Sequence, residues 1–329
     1  MADELFDARN ALVIGNYDQV ISECSSAKTS LRKSEDIARF NVEKELLIAC
    51  AQIGLGQYDV VLHKYSSENN PRLKAVYEYA RLNSTLAKNP VLPESEEELS
   101  PDVQEPLTRL TTAATEVQPG NEFIAILACS ALLYVHDYTG AIALGKTWLK
   151  GLEAPHGALA TQQRIELHAL VVEGLIQINR IDQVSYEIAA MEKANDEALV
   201  TLLYVGIHAL YEAQHTQQKE SYQKAFDSFT DVIERSGHSV KVLNLLALSL
   251  VGMQMYDKAE KALLDALAIK SSDENTLVNL AVVSAHLGKQ SDIVDRYLAQ
   301  ASAAGGLWDK EYTNMSTVFD AAAANHMVE

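Results

Sequence analysis

Proline and glycine are scarce in this 329-residue sequence, at 7 and 15 residues. All seven prolines fall between Pro71 and Pro155, so more than half of the chain has none. Sheets and their turns rarely manage such a length without either residue, whereas helices exclude proline from their interiors. Good helix formers (Ala, Leu, Glu, Lys and Gln) fill most of the proline-free stretch. The composition therefore points to an all-α chain. Basic residues are also short, 27 against 45 acidic, leaving a formal charge of −18 and no basic run. That balance argues against direct contact with nucleic acid or with an anionic membrane surface. The longest apolar stretch, Phe123 to Val135, is interrupted by Ser130 and is too short to span a bilayer. The N-terminal Met1-Ala2-Asp3-Glu4 lacks the charged-then-apolar order of a signal peptide. Three scattered cysteines, Cys24, Cys50 and Cys129, fit buried thiols in a reducing compartment. The expectation is a soluble, acidic, cytosolic protein.

Catalytic and cofactor signatures are missing as well. Gly54-Leu55-Gly56 is half of a dinucleotide fingerprint, without the third glycine and without a preceding strand, and reads as a turn between helices. Nine histidines include no His-x-x-x-His pair, the spacing a helical zinc site needs. His168, His208 and His286 read as ordinary helix-face residues. No cysteine has a cationic neighbour in sequence that would make it reactive. No enzyme, metal or cofactor is expected.

What is present is a repeat. An aromatic or bulky residue followed by a helix-starting one recurs at Tyr17-Asp18, Tyr58-Asp59, Tyr138-Thr139, Ile181-Asp182, Tyr222-Gln223 and Tyr256-Asp257, with Gln290-Ser291 as a degenerate member. The second residue of most pairs, Asp18, Asp59, Thr139, Asp182, Asp257 and Ser291, is suited to cap the next helix. Asp257 and Glu260 make a capping-box spacing. The last three units are 34 residues apart, the period of the tetratricopeptide helix–turn–helix repeat. In the best unit, small Ala247 and Ala259 let two helices approach while Leu243, Tyr256 and Leu263 fill the seam. Upstream the spacing loosens to 41–43 residues. The expected architecture is a single all-α tetratricopeptide-like solenoid over residues 1–329 with about eight to nine units. An acidic, proline-rich insertion is expected at about 89–120, as a solvated loop flanking a short helix, and a helical end at about 307–329.

Such a solenoid binds along the face lined by the first helix of each unit. The expected groove residues are Leu5, Leu12, Val13, Leu46 and Ile53 at the N-terminal end, and Phe123, Ile126, Leu133 and Tyr134 in the middle. Leu248, Val251, Val278, Val282 and His286 complete the set. This apolar lining suits a protein partner that stays bound. The alternative is that a tight curve buries these side chains against their own neighbours. The carboxylate clamp that grips chaperone tails is incomplete, because Leu245 stands beside Lys241 and Asn244 where a cation would be needed.

Two segments carry a family likeness. Asp3-Glu4-Leu5-Phe6-Asp7, Asn10 and Ile14-Gly15-Asn16-Tyr17 resemble the opening of coatomer epsilon subunits. Thr276-Leu277-Val278-Asn279-Leu280, His286-Leu287-Gly288-Lys289, Arg296-Tyr297-Leu298 and Lys310-Glu311-Tyr312 resemble their C-terminal region. Ala303–Trp308 departs from that pattern, and the acidic stretch around Glu94–Glu105 is longer. The resemblance implies a non-enzymatic component of the COPI coat, cytoplasmic and peripheral on Golgi membranes and vesicles, acting in transport from the Golgi back towards the endoplasmic reticulum. It also implies a strongly curved or ring-closing solenoid and a direct partner, the C-terminal region of the alpha coatomer subunit, and through it the other subunits, with membrane contact indirect. A general assembly or co-chaperone scaffold binding short peptide segments is the alternative.

Overall fold

The computed structural model describes residues 3–88, 99–152, 158–216 and 218–326. Among them are seventeen helices and no strand. In chain order these are α1 (Phe6–Ile14), α2 (Tyr17–Ser26), α3 (Ser34–Gly54), α4 (Tyr58–Lys64), α5 (Pro71–Lys88), α6 (Pro101–Ala113), α7 (Glu122–Tyr134), α8 (Tyr138–Gly151) and α9 (Ala158–Gln177). There follow α10 (Ile181–Asn195), α11 (Leu199–Thr216), α12 (Lys219–Ser236), α13 (Val240–Gly252), α14 (Tyr256–Ile269), α15 (Glu274–His286), α16 (Ser291–Ala304) and α17 (Leu307–His326). Tertiary contacts divide the chain into two compact units, residues 1–208 and 209–329.

In the first unit the helices pair as α1/α2, α3/α4, α5/α6, α7/α8 and α9/α10. The first helices also touch one another, α1 on α3, α3 on α5, α5 on α7 and α7 on α9, with no comparable packing among the second helices. The first helices therefore form the tighter, inner side of this unit. In the second unit α13/α14 and α15/α16 pair in the same way, and α13 touches α15. The seam residues read from the sequence sit where expected: Leu243, Ala247, Ala259 and Leu263 are buried, and Tyr256 packs against their cluster.

One turn builds the hairpins. Gly15, Gly56, His136, Asn179, Gln254 and Gly288 all have φ between 56° and 83°. Each lies two residues before the recurring Tyr17, Tyr58, Tyr138, Ile181, Tyr256 or Gln290. The backbone closes identically at all six. Gln254 N–H donates to Val251 O at 2.9 Å and Met255 N–H to Leu250 O at 2.9 Å, and the other five repeat both bonds. This is the Schellman end, which uses one left-handed residue to satisfy the last helical carbonyls. Glycine also permits close approach beside it: a Cβ on Gly54 would fall within the Tyr17 ring, and one on Gly252 within the Tyr222 ring. A side chain in the left-handed region costs about 1–2 kcal/mol. Gln254→Gly is accordingly expected to raise stability by about 0.5–1 kcal/mol after the extra chain entropy is offset. Gly56→Ala, at the equivalent turn with open space around it, is expected to lower stability by about 1 kcal/mol. Urea titration of both checks the sign, and a shift in the same direction for both would be inconsistent with strain at this position.

Two sequence expectations are corrected here. The helix starts fall earlier than read: Asn16, Gln57, Asp137, Arg180, Met255 and Gln290 hold the cap positions. Asp18, Asp59, Asp182 and Asp257 thus lie in the first turn, where their charge favours the helix N-terminus. Asp137 caps α8 through Gly140 N–H at 2.7 Å. Glu260 closes no capping box and instead pairs with Lys289. The acidic run before Ser100 lies in residues 89–98, outside the described set. Pro101–Ala113 is the second helix of the α5 hairpin rather than part of an insertion. Pro101 occupies its first position, where a missing N–H is harmless, and Val103, Pro106 and Leu110 are buried. Buried Glu78 on α5 pairs with Arg81 at 3.0 Å and with Arg109 on α6 at 2.8 Å, and Glu105 bonds both arginines.

Candidate partner-binding surface

The inner side of the first unit carries an aromatic cluster. Tyr134, at the end of α7, is 55% exposed, and its ring centroid lies 6.4 Å from that of Tyr79 on α5. Burial, with Tyr134 as the next cause, pushes up the phenols of Tyr17, Tyr58 and Tyr79. Tyr79 and Tyr134 are thus in ring contact, and Tyr17 on α2 and Tyr58 on α4 lie near enough to Tyr134 for its charge to act on them. Cys50 on α3 belongs to the same neighbourhood, its thiol pushed up to about 12 by desolvation. Tyr204 on α11 is raised by burial, with Glu173 of α9 adding to the effect. Each of these side chains keeps part of its surface accessible. Cys24 and Cys129, by contrast, are fully buried and raised to about 11 and 12. None of the three thiols is primed as a nucleophile.

Glu166 on α9, whose charge adds to the shift of Cys50, is itself strongly shifted. Desolvation raises it to about 7, opposed by the Gln162 amide, which donates at 3.0 Å, and by Arg9, and assisted by Glu43. Arg9, nearly enclosed, pairs with Asp3 and Glu43. A carboxyl raised in the native state holds its proton there at pH values where the unfolded chain has lost it. Native stability from this group therefore falls as pH rises from about 4.5 to about 7, then levels off. Glu166→Gln is expected to match the parent protein at pH 4 and to melt at higher temperature at pH 8. A melting difference independent of pH would remove Glu166 from this role.

The sequence-read groove residues divide into three sets. Leu5, Leu46 and Ile53 are buried in the core, Leu5 among α1–α3 and the other two among α3–α7. They are corrected to seam residues: α3 is longer than the 13-residue first helices that set the register, and Leu5 is the cap residue just before the short α1. Leu12, Val13, Phe123, Ile126 and Val251 are half-buried and pack on those cores, while Leu133 and Val278 keep partial exposure. Tyr134, Leu248, Val282 and His286 are exposed. Leu248 (43%) and Val282 (47%) stand 34 residues apart, at one repeat position on neighbouring first helices. His286 stacks on Tyr256 with rings 4.6 Å apart and 3° from parallel. Tyr17 and Tyr58 were visible in the sequence only as turn markers, and nothing periodic distinguished Tyr79 or Glu166.

The other polar candidates are structural. His168 Nδ1 lies 2.7 Å from Glu187 Oε2. Asn244 donates to Thr276 Oγ1 and Val240 O, both at 2.8 Å, and accepts from Asn279 at 2.9 Å, tying α13 to α15 instead of waiting for a tail carboxylate. Among the described residues no group of three or more His, Cys, Asp or Glu could hold a metal ion. No described helix is long and apolar enough to cross a membrane.

Paired helices joined by one repeated turn, with apolar and aromatic side chains left accessible, define a tetratricopeptide-like repeat protein. A chain of the Cut9–Hcn1 hetero-tetramer of the APC/C has the same kind of fold, with a TM-score of 0.57 and 15% identity over 90% of this chain and 52% of that one. The sequence pattern of the coatomer epsilon subunit matches residues 1–128 and 152–326, and the chain belongs to that family. Similar relatives are coatomer subunit epsilon-1 of Arabidopsis thaliana, 28% identical over 91% of this chain and 88% of that protein, and coatomer subunit epsilon of Caenorhabditis elegans, 25% identical over 91% and 90%. Coatomer subunit epsilon of Dictyostelium discoideum is 23% identical over 91% and 89%. Family membership makes this chain a coatomer subunit that associates with other subunits of the coat.

Proposed function

We propose that the chain binds and stabilises the C-terminal region of the alpha coatomer subunit through the inner faces of its first helices. It acts as a non-enzymatic part of the COPI coat in transport between Golgi and endoplasmic reticulum, in the cytoplasm and on Golgi membranes and vesicles. The observation that carries the reading is the exposed Tyr134, set among Tyr17, Tyr58 and Tyr79 on a face with no catalytic constellation. Phe123, Ile126 and Leu133 on the same helix extend that face, and Leu248, Val251, Val278, Val282 and His286 form its counterpart in the second unit. Exposed aromatic side chains with apolar neighbours are among the residues that dominate protein interfaces. A charge of −18 fits membrane contact made through partners rather than directly.

The test is retention of the alpha subunit on the tagged full chain in high salt, which screens rim charges but not apolar burial. Retention supports the reading. Recovery of chaperones alone, lost as salt rises, would favour a general peptide-binding scaffold.

A further inference from the structure

Helix α17 is unlike the other helices of the second unit. Its base is fixed: Glu274 on α15 accepts from Asp309 N–H at 3.2 Å, and Gly306 leaves room for that carboxylate. Beyond it, every residue from Lys310 to Ala322 is exposed. Trp308, Tyr312, Met315, Phe319 and Ala322 recur at spacings of four and three, which places them in one stripe. Trp308 stacks on Tyr312 with centroids 4.8 Å apart and 16° between planes. Tyr312, Met315, Val318 and Phe319 are 51–71% exposed. A lone helix of this length is marginal in water and leans on packing for its stability.

The charges around the stripe select its occupant. At about 100° per residue, Glu311 falls about 60° to one side of Trp308, and Asp309 and Asp320 fall about 100–120° to the other. Lys310 lies at the back, about 160° away. Acids therefore border the apolar stripe on both sides. A second copy of α17 would bring acid against acid, and an anionic lipid surface would be repelled. We infer that α17 is a docking helix for an amphipathic helix of a partner protein whose apolar face is bordered by lysine or arginine. The surface uses none of the inner-face residues named above and supplies a second contact. In the preceding hairpins a second helix covers the first, and the partner helix takes that place on α17.

The probe is a synthetic amphipathic helix with leucine on its apolar face and lysine on both borders, with a twin carrying glutamate in place of lysine. Trp308 reports docking, since the other tryptophan, Trp148, is fully enclosed; Trp308→Phe checks the source of the signal. The lysine peptide is expected to blue-shift emission with a Kd of about 10–100 µM, and the glutamate twin to bind at least about tenfold more weakly. Phe319→Glu should abolish binding, and Lys310→Ala should leave it unchanged. Equal binding of both peptides, or of neither, overturns the inference. So does a dimer of the free chain lost in Phe319→Glu, or binding to phosphatidylserine vesicles. The assay contains no other coatomer subunit, so its failure and a failure to retain the alpha subunit are separate results.

Discussion

Tyr134→Glu is expected to weaken retention of the alpha coatomer subunit by about 30–100-fold, and Val282→Glu to do the same from the second unit. Removing an interface tyrosine that acts as an anchor costs about 2 kcal/mol or more. Burying an unpaired carboxylate in its place adds to that, and every 1.4 kcal/mol is about tenfold in affinity. Both side chains are exposed, so neither substitution opens a cavity and far-UV circular dichroism should be unchanged. Combining them should leave no retention detectable at high salt. Phe123 and Ile126 would be poorer probes, because each packs on a core and its loss would mix folding with binding. If both variants hold the alpha subunit as tightly as the parent chain, the inner faces are not its docking surface.

Trp148→Ala is expected to remove about 3–5 kcal/mol from the first unit through its cavity alone. Trp148 is fully enclosed on α8, and its indole N–H donates to Ala114 O at 2.8 Å, just past the end of α6. Without it that carbonyl is orphaned, at a further cost of about 1–3 kcal/mol. Against a typical total of about 5–15 kcal/mol, this is a large fraction of what holds a unit folded. Trp148→Phe keeps most of the volume and loses the bond, so about 1–3 kcal/mol should go. Urea unfolding followed by circular dichroism separates the two. A cost below about 1.5 kcal/mol for the alanine variant would mean that the α6–α8 junction relaxes around the gap.

The repeat was legible because its markers are local. Tyr17, Tyr58, Tyr138 and Tyr256 each open a second helix directly after the turn, and the 34-residue register of Leu243, Ala247, Ala259 and Leu263 fell on the seam. What was not legible depended on rotation about long helices. One residue of register error turns a side chain by about 100°, which put Leu46 and Ile53 of α3 on the wrong face, and Leu5 is the cap before α1 rather than a position within it. Helix α6 was expected only as a short helix within an insertion, because Pro101 and Pro106 with nearby acids gave the composition of a loop; its packing as a hairpin's second helix was not legible. The spacing of Val103, Leu107, Leu110 and Ala114 carried the helical signal, and Glu78, which neutralises Arg81 and Arg109, lies on a different helix. The meeting of Tyr134 with Tyr17, Tyr58 and Tyr79 is a product of helix stacking and has no counterpart in linear spacing.

The shared turn has a consequence for how such a chain can lengthen. Helices α7, α13 and α15 have 13 residues each, whereas α3 has 21. All four end in the same closed turn, yet the buried positions of α3 begin only at Leu46. The added residues therefore accrue at the upstream end and project past the seam, like a ruler whose zero mark is at its far end. Insertion there changes the distance in sequence from one turn to the next and leaves the joint itself untouched. Spacings of 34, 41 and 43 residues can thus coexist in one chain built on a single hinge design.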